Sequence, residues 1–302
     1  MTLDKYPSIK ALYESLNTQF PYFVGVIQKQ MDSFGEQWLS LFEEELEVFF
    51  GNDKQKLNEA VTGYGKFSLD SMKLQVKFQK TKEYDHKTYA EAASEVYQNK
   101  DYMFDLYLPG ILLSHYLWRH HFIQHIFFLE RFLPLISQDE GKTFYDIGVG
   151  TGFYSKEMLR CTRLDGKGFD MSPYSLEHTL NMLRAHNLAD RYEACLRDIV
   201  KQPVTPEADY LVNIEVLEHL EEPQLFLNFL TRMLKPGGYG IISAAITAPN
   251  ADHIFLYHNS DQVASQLVKA GFKIVDSTVD NAYDPRSEKE VVPVNAAFIV
   301  TI

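Results

Sequence analysis

The segment Phe144-Tyr-Asp-Ile-Gly-Val-Gly-Thr-Gly-Phe-Tyr-Ser155 constrains the fold more than any other stretch of the chain. A β-type run enters it, three glycines at alternate positions come next, and a helical pattern leaves it. Gly148, Gly150 and Gly152 permit positive φ and let a ligand approach the backbone with no Cβ in the way. The helix start behind them offers unpaired N–H groups. A pyrophosphate would suit such donors. A dinucleotide turn, however, asks for glycine at position 153, where this chain has Phe153, and leaves Asp146 to repel the phosphate.

Around this turn the chain has two textures, which meet at the polar break Ser137–Lys142. After the break, short β-type runs alternate with helical stretches. The runs predict strands near Thr143–Ile147, Gly168–Asp170, Tyr192–Cys195, Tyr210–Ile214, Gly240–Ala245, Lys273–Val279 and Ala296–Thr301. The intervening patterns predict helices near Gly152–Cys161, Pro173–His186, Pro223–Leu234 and Asp261–Ala270. Such alternation implies right-handed crossovers and a mostly parallel sheet with helices on both faces. Before the break helical spacing prevails: Trp38, Leu41, Phe42 and Glu45 to Phe49 form one amphipathic stripe, with others through Leu69, Met72 and Val76 and through Glu91 to Tyr97. Pro7, Pro21 and Pro109 sit where helices begin, and Gly51 and Gly63 where they end. Of 21 Phe, 18 Tyr and 2 Trp, 13, 10 and both lie before residue 142, which suits a helical cap walling an apolar pocket. The expected division is a helical, substrate-binding cap over 1–138 and a cofactor-binding domain over 139–302.

The glycine turn, together with the motifs downstream of it, resembles the first motif and its successors in the class I S-adenosylmethionine-dependent methyltransferases. Asp146-x-Gly148-x-Gly150-x-Gly152 is followed by Gly168-Phe-Asp170-Met171-Ser172, with an acid 18 positions beyond Gly152, and then by Arg197-Asp198-Ile199. Ala208 to Pro223 resembles the fourth-strand motif and Leu234-Lys-Pro-Gly-Gly238 the turn before the fifth strand. The resemblance covers Thr143 to Ser243. It implies a Rossmann-like, seven-stranded, mostly parallel sheet (the class I methyltransferase fold), here with an N-terminal all-helical cap domain. It also implies S-adenosyl-L-methionine as cofactor. The turn would take the amino-acid end, with Asp146 orienting the ammonium group, and Asp170 would accept the ribose hydroxyls. Met171, Asp198, Ile199 and Asn213 complete the cofactor contacts that the resemblance implies, Asp198 near the adenine amino group.

Methyl transfer from a sulfonium is an in-line displacement that needs alignment, exclusion of water and usually a base for the acceptor's proton. If Glu215-Val-Leu-Glu218-His219 winds helically after the fourth strand, its acidic and imidazole side chains share one face. His219, Glu218 and Glu215 are then candidate acid–base groups, although a Leu-Glu-His run can also simply fix the loop. Asp252-His253 follows the fifth strand at the same end of the sheet. Glu215, Glu218, His219 and His253 could hold a divalent cation; the pattern is similar to that of metal-dependent small-RNA 2′-O-methyltransferases and, in part, quinone O-methyltransferases. His115, His120, His121 and His125 form a second cluster, whose rings either face polar groups or solvent or send one member, such as His121, into the cleft. Tyr107, Trp118, His120, His253 and Tyr257 are expected to contact substrate, the last two from the Thr247–His258 segment. Cys161 and Cys195 are expected in the core.

Charge and composition narrow the function. With 29 Lys+Arg against 41 Asp+Glu the chain carries −12, which disfavours nucleic acid as partner. Two cysteines make no disulfide framework, and the N-terminus shows no apolar leader, so a cytoplasmic setting is expected. Leu108 to Ile136 is the most apolar stretch, yet Arg119, Glu130, Arg131 and four histidines make it a buried or cleft-lining helix and not a membrane span. The expected activity is methyl transfer to an O, N or acidic C atom of a small molecule, as in specialised metabolism or natural product biosynthesis. The alternatives are a macromolecule or a guanidino or amine side chain as acceptor, or a non-catalytic cofactor-binding scaffold. Oligomeric state stays open, a homodimer included.

Overall fold

The computed structural model describes residues 3–136, 141–203 and 208–302. Seven strands form one sheet: β1 (Thr143–Ile147), β2 (Asp165–Asp170), β3 (Tyr192–Leu196), β4 (Ala208–Asn213), β5 (Leu234–Ile246), β6 (Lys273–Asn281) and β7 (Val294–Thr301), in the order β3-β2-β1-β4-β5-β7-β6. β1 to β5 pair in parallel, and β7 runs antiparallel to both β5 and β6. The predicted strands are all present, and Lys235 to Gly238 form the irregularity at which β4 and β5 change register. The order reverses between β1 and β4, which opens a crevice at their carboxyl ends.

Eleven α-helices surround the sheet among the described residues. Seven precede β1: α1 (Pro7–Gln19), α2 (Gly25–Phe50), α3 (Lys54–Thr81), the short α4 (Tyr89–Ala92) continued by a π-type turn to Tyr97, α5 (Lys100–Tyr102) running through a π-type turn into α6 (Leu108–Leu117), and α7 (Arg119–Phe127). The rest are α8 (Phe153–Cys161), α9 (Pro173–Ala185), α10 (Pro223–Met233) and α11 (Ser260–Ala270). Neighbouring strand residues point to opposite faces, so Phe144, Val212, Ile241 and Ile299 join one core with α1, α2, α6, α7 and α8. Tyr145, Leu211, Ile242 and Phe298 join a second core with α10 and α11. The N-terminal helices therefore pack directly on one face of the sheet.

Pro7 opens α1 and Pro109 lies at the start of α6, while Pro21 sits in the turn before α2 and Gly51 caps its end. Gly63 does not end a helix. It lies inside α3, where a Cβ would come within 2.6 Å of Pro109, so its role is close α3–α6 packing. The Trp38, Phe42 and Leu46 stripe of α2 is buried as expected, but Leu69, Met72 and Val76 of α3 are exposed, and Met72 and Val76 line the cleft. Most of the polar break between the two textures, Ser137 to Glu140, lies outside the described residues. Cys161 and Cys195 are free and only half-buried, at the margins of the core. None of the described helices is long and apolar enough to cross a membrane.

Candidate active site

A cavity of about 1210 Å³ opens along the carboxyl ends of β1, β2 and β4 and continues beneath the N-terminal helices. The glycine turn forms part of its floor. Gly148 has φ 77° and a Cβ on it would lie 2.6 Å from Val216 Cγ2; Gly150 has φ 54° and a Cβ there would meet nothing within 4 Å. Gly150 is thus where a ligand can come closest to the backbone. Gly152, expected as a ligand contact, is instead a packing glycine: a Cβ would sit 2.8 Å from Thr179 Cα, and the residue does not line the cavity.

Asp146, Met171, Asp170, Asp198 and Ile199 all line the cavity. Ser155 Oγ donates to Asp146 Oδ2 at 2.6 Å, and burial pushes the Asp146 carboxyl up to about 7. Asp170 accepts N–H groups from Ser172 (2.8 Å) and Gly150 (3.3 Å), and burial lifts it to about 6. Asp198 takes the N–H of Val200 at 3.0 Å on Oδ1, and its Oδ2 lies 3.1 Å from Lys201 Nζ. Asn213 departs from expectation. It is fully buried at the end of β4, donates to Ile147 O at 2.8 Å and ties β4 to β1 away from the cavity.

Next to the turn stand Glu215 and His121. The expected helical face after β4 does not form: Glu215 adopts φ 51°, in the left-handed region, and only a 3₁₀ turn at Leu217–His219 comes after it. Glu215 therefore splays away from Glu218 and His219. Its carboxylate accepts from Asn295 Nδ2 on β7, its N–H donates to Ser243 Oγ at 3.0 Å, and its Oε2 lies 3.5 Å from His121 Nε2. Ser114 Oγ donates to Ile111 O (2.7 Å) and lies 2.9 Å from His121 Nδ1. With its single proton given to Ile111, the Ser114 oxygen accepts from Nδ1–H. The His121 Nε2 lone pair consequently faces the cavity beside a carboxylate. Burial lowers the His121 pKa against the opposing pull of Glu215, keeping the ring neutral.

A second group forms under the loop after β5. Ligand atoms of Glu218, His219 and His253 lie within 4.8 Å of one another. His219 Nδ1 lies 3.1 Å from Asp252 O and 3.0 Å from the Tyr97 hydroxyl, which itself donates to Asp252 Oδ2 at 2.9 Å. His253 Nδ1 donates to Ala248 O at 2.5 Å. Burial lowers His219, but Asp252 and Glu218 outweigh this and hold its pKa above the ordinary value. Both Glu218 oxygens are buried without partners, and burial raises that carboxyl to about 8. The residues fit a divalent cation: a carboxylate lacking partners, and imidazoles whose Nδ1–H groups are fixed on carbonyls. Glu215 drops out of the expected ligand set because it faces His121.

Tyr107, Trp118, His120 and His253 line the cavity as expected. Tyr257 does not; it is buried in the core beside α11 and donates to Gln266 Oε1 at 2.6 Å. All four clustered histidines are buried, none facing solvent. His115 stacks on Phe153 at 4.1 Å, and His125 lies 3.6 Å from Glu157 inside the core. Ser114, Asn295, Tyr97 and Tyr89, whose hydroxyl donates to Met171 Sδ at 3.0 Å, escape sequence reading because no motif links such distant positions. The aromatic bias of the first half is the sole signal that points toward the two tyrosines.

A sheet of this order with a glycine turn and a carboxylate at the end of β2 defines a cofactor-binding α/β enzyme. A family model described as a methyltransferase domain matches residues 138–288, and the chain belongs to the class I S-adenosylmethionine-dependent methyltransferases. It is 29% identical over 134 residues to the ubiquinone biosynthesis O-methyltransferase of Alkalilimnicola ehrlichii, covering 43% of this chain and 52% of that protein. The chain spans about half the length of the curated relatives it matches first. Among solved structures, it is similar to a phosphoethanolamine N-methyltransferase of Haemonchus contortus (TM-score 0.52, 16% identity, 71% of this chain and 60% of that one). The N-methyltransferase NodS of Bradyrhizobium japonicum, in complex with S-adenosylhomocysteine, gives TM-score 0.50 at 17% identity over 70% of this chain and 98% of that one. These two likenesses show the fold.

Proposed function

We propose that the protein transfers the methyl group of S-adenosylmethionine to a hydroxyl or amino group of a small molecule, and that His121, backed by Glu215, takes the acceptor's proton. The observation that carries this reading is the pair of acceptors, His121 Nε2 and Glu215 Oε2, 3.5 Å apart beside the glycine turn. The group that approaches them has to bring its own proton. His121 is only 4% exposed, which favours a small acceptor over a polymer. In this reading the 139–302 portion holds the cofactor: Asp146 and the Gly148–Gly150 backbone take its amino-acid end, Asp170 its ribose, and Asp198 its adenine amino group. The 1–138 portion covers it and shapes the acceptor site. Neutral His121 accepts the proton as the acceptor attacks the methyl carbon. The resulting imidazolium is stabilised by Glu215 and by the Nδ1–H donated to Ser114. S-adenosylmethionine, when bound, would supply the methyl group from its sulfonium and be left as a neutral thioether.

The test is methyl-labelled S-adenosylmethionine incubated with a panel of phenols, alcohols and amines. Transfer that falls by about 10²–10⁴-fold in His121→Ala supports the reading; equal transfer by the variant overturns the assignment of His121. The partnerless Glu218 carboxylate supports a second element: Glu218, His219 and His253 would hold a divalent cation, which when bound lowers the pKa of a ligated hydroxyl. Metal analysis of the purified protein and assay in excess chelator decide this, full activity under chelation removing the ion from the scheme.

A further inference from the structure

The cavity is larger than a cofactor needs. Pockets for single drug-sized ligands run from about 300 to 1,000 Å³, whereas this one reaches about 1210 Å³. Its excess lies under α3, away from the glycine turn. From Tyr64 to Gln79 the lining residues of α3 follow the i, i+3, i+4, i+7 spacing of one helical face. The fifteen steps between them at the helical rise make a wall about 22 Å long. Its outer part bears Met72 and Val76, 56% and 60% exposed, which is unusual for the apolar stripe of an otherwise packed helix.

The inner part leads to the reacting end through a run of rings. Phe67 stacks on Trp118 at 5.6 Å, Trp118 on His120 at 5.8 Å, and His120 lies 4.3 Å from His121. Phe67 cannot turn aside, because its ring packs where Gly110 leaves room: a Cβ on Gly110 would meet it at 2.5 Å. The far wall is the segment between β6 and β7. It is held to α3 by Gln75 Nε2 donating to Val291 O at 2.7 Å and by Gln79, which pairs with both the N–H and the carbonyl of Val291. The charges at the rim carry both signs, and Arg286 is already spent on Glu290. The α3 face from Tyr64 to Gln79 presents no charged side chain to the cavity, so a charged ligand body lying along it would lose water without gaining a counter-charge there.

We infer that this gallery holds the uncharged, elongated apolar body of the acceptor, with its methylatable end at His121; the substrate class is a lipophilic hydroxy or amino compound. The inference rests on the reading of His121 as the reacting end. Its experiment separates the two. A ladder of 4-alkylphenols, ethyl to dodecyl, is titrated calorimetrically into the protein with and without S-adenosylhomocysteine, which is also titrated alone. Each added methylene is expected to tighten binding about fourfold until the gallery is full. Met72→Glu and Val76→Glu are each expected to flatten that dependence below twofold per methylene. Leu225→Glu, the same change on an exposed position of α10, is expected to keep it.

An affinity independent of chain length in the wild-type protein overturns the inference, as does a ladder that survives both α3 variants. A flat ladder together with a concentration-dependent dimer that Met72→Glu disperses assigns the stripe to a second copy of the chain, and also overturns it. If the ladder holds while S-adenosylhomocysteine does not bind, the gallery stands and the methyl-transfer reading of the site fails.

Discussion

His121 shows how one hydroxyl can set the chemistry of a ring. Ser114 gives its proton to a backbone carbonyl and so accepts from Nδ1–H, which leaves Nε2 bare. Losing that acceptor removes a stabiliser of the imidazolium and lowers its pKa. Ser114→Ala is therefore expected to lower kcat and move the acid limb of the pH profile to lower pH, with cofactor affinity unchanged. A profile that stays in place would reduce Ser114 to packing. On the cofactor side, burial lifts Asp146 to about 7 and Asp170 to about 6. In their proposed roles Asp146 and Asp170 would meet the ammonium and the ribose as carboxylates, forms that are lost as pH falls through those values. Affinity for S-adenosylhomocysteine, measured calorimetrically, should weaken from pH 8 to pH 5, and Asp170→Ala should weaken it at both. Equal binding at the two pH values would remove both carboxylates from the cofactor site.

At the level of elements, a buried ion network joins α2 to α8 immediately behind the glycine turn. Lys156 pairs with Glu45 of α2 and, at 2.9 Å, with Glu157, which also binds Arg160 at 2.8 Å. Burial alone would raise Glu45, but Lys156 and His186 outweigh it and bring it from 4.5 to about 2. A depressed folded-state pKa contributes stability above the unfolded value and loses it on acidification. Melting temperature should therefore drop between pH 4.5 and 2, and less steeply in a Glu45→Gln protein. Lys156→Ala removes the chief partner of buried Glu45, while Glu157 keeps Arg160, and should cost about 3–5 kcal/mol in denaturant unfolding; a loss under about 1 kcal/mol would mean that water relieves the network. The same scale explains why strands were readable and the site loop was not. Residues 143–147 and 273–279 carry β-type runs that the sheet simply uses. Glu215 at φ 51° follows no local preference; it is held there by Ser243 and Asn295, from strands far along the chain.

For the whole molecule, the decisive feature is that the N-terminal helices and one sheet face share a single apolar core, with Trp38 and Phe42 in the same cluster as Phe144 and Val212. A ligand bound in the cleft between them stabilises both together. At about 100 times its Kd, S-adenosylhomocysteine adds about 2.7 kcal/mol, which for a chain of this size raises Tm by about 4 °C. Calorimetry should show one transition that moves as a unit. Two transitions, of which only the later one shifts, would mean that the helices melt independently.

The sequence by itself determined the seven-stranded order of β-runs and helices, the glycine turn and the carboxylates at the ends of β1, β2 and β3. These are written in local periodicity and short spacing, which act within one or two elements. Tertiary structure alone decided that Gly152 and Asn213 serve packing, that Tyr257 turns into the core, that Glu215 leaves Glu218 and His219 to face His121, and that the apolar stripe at Met72 and Val76 opens on a cavity. Those outcomes depend on groups from separate elements meeting in space, where no periodicity reaches and only the packed fold selects the partner.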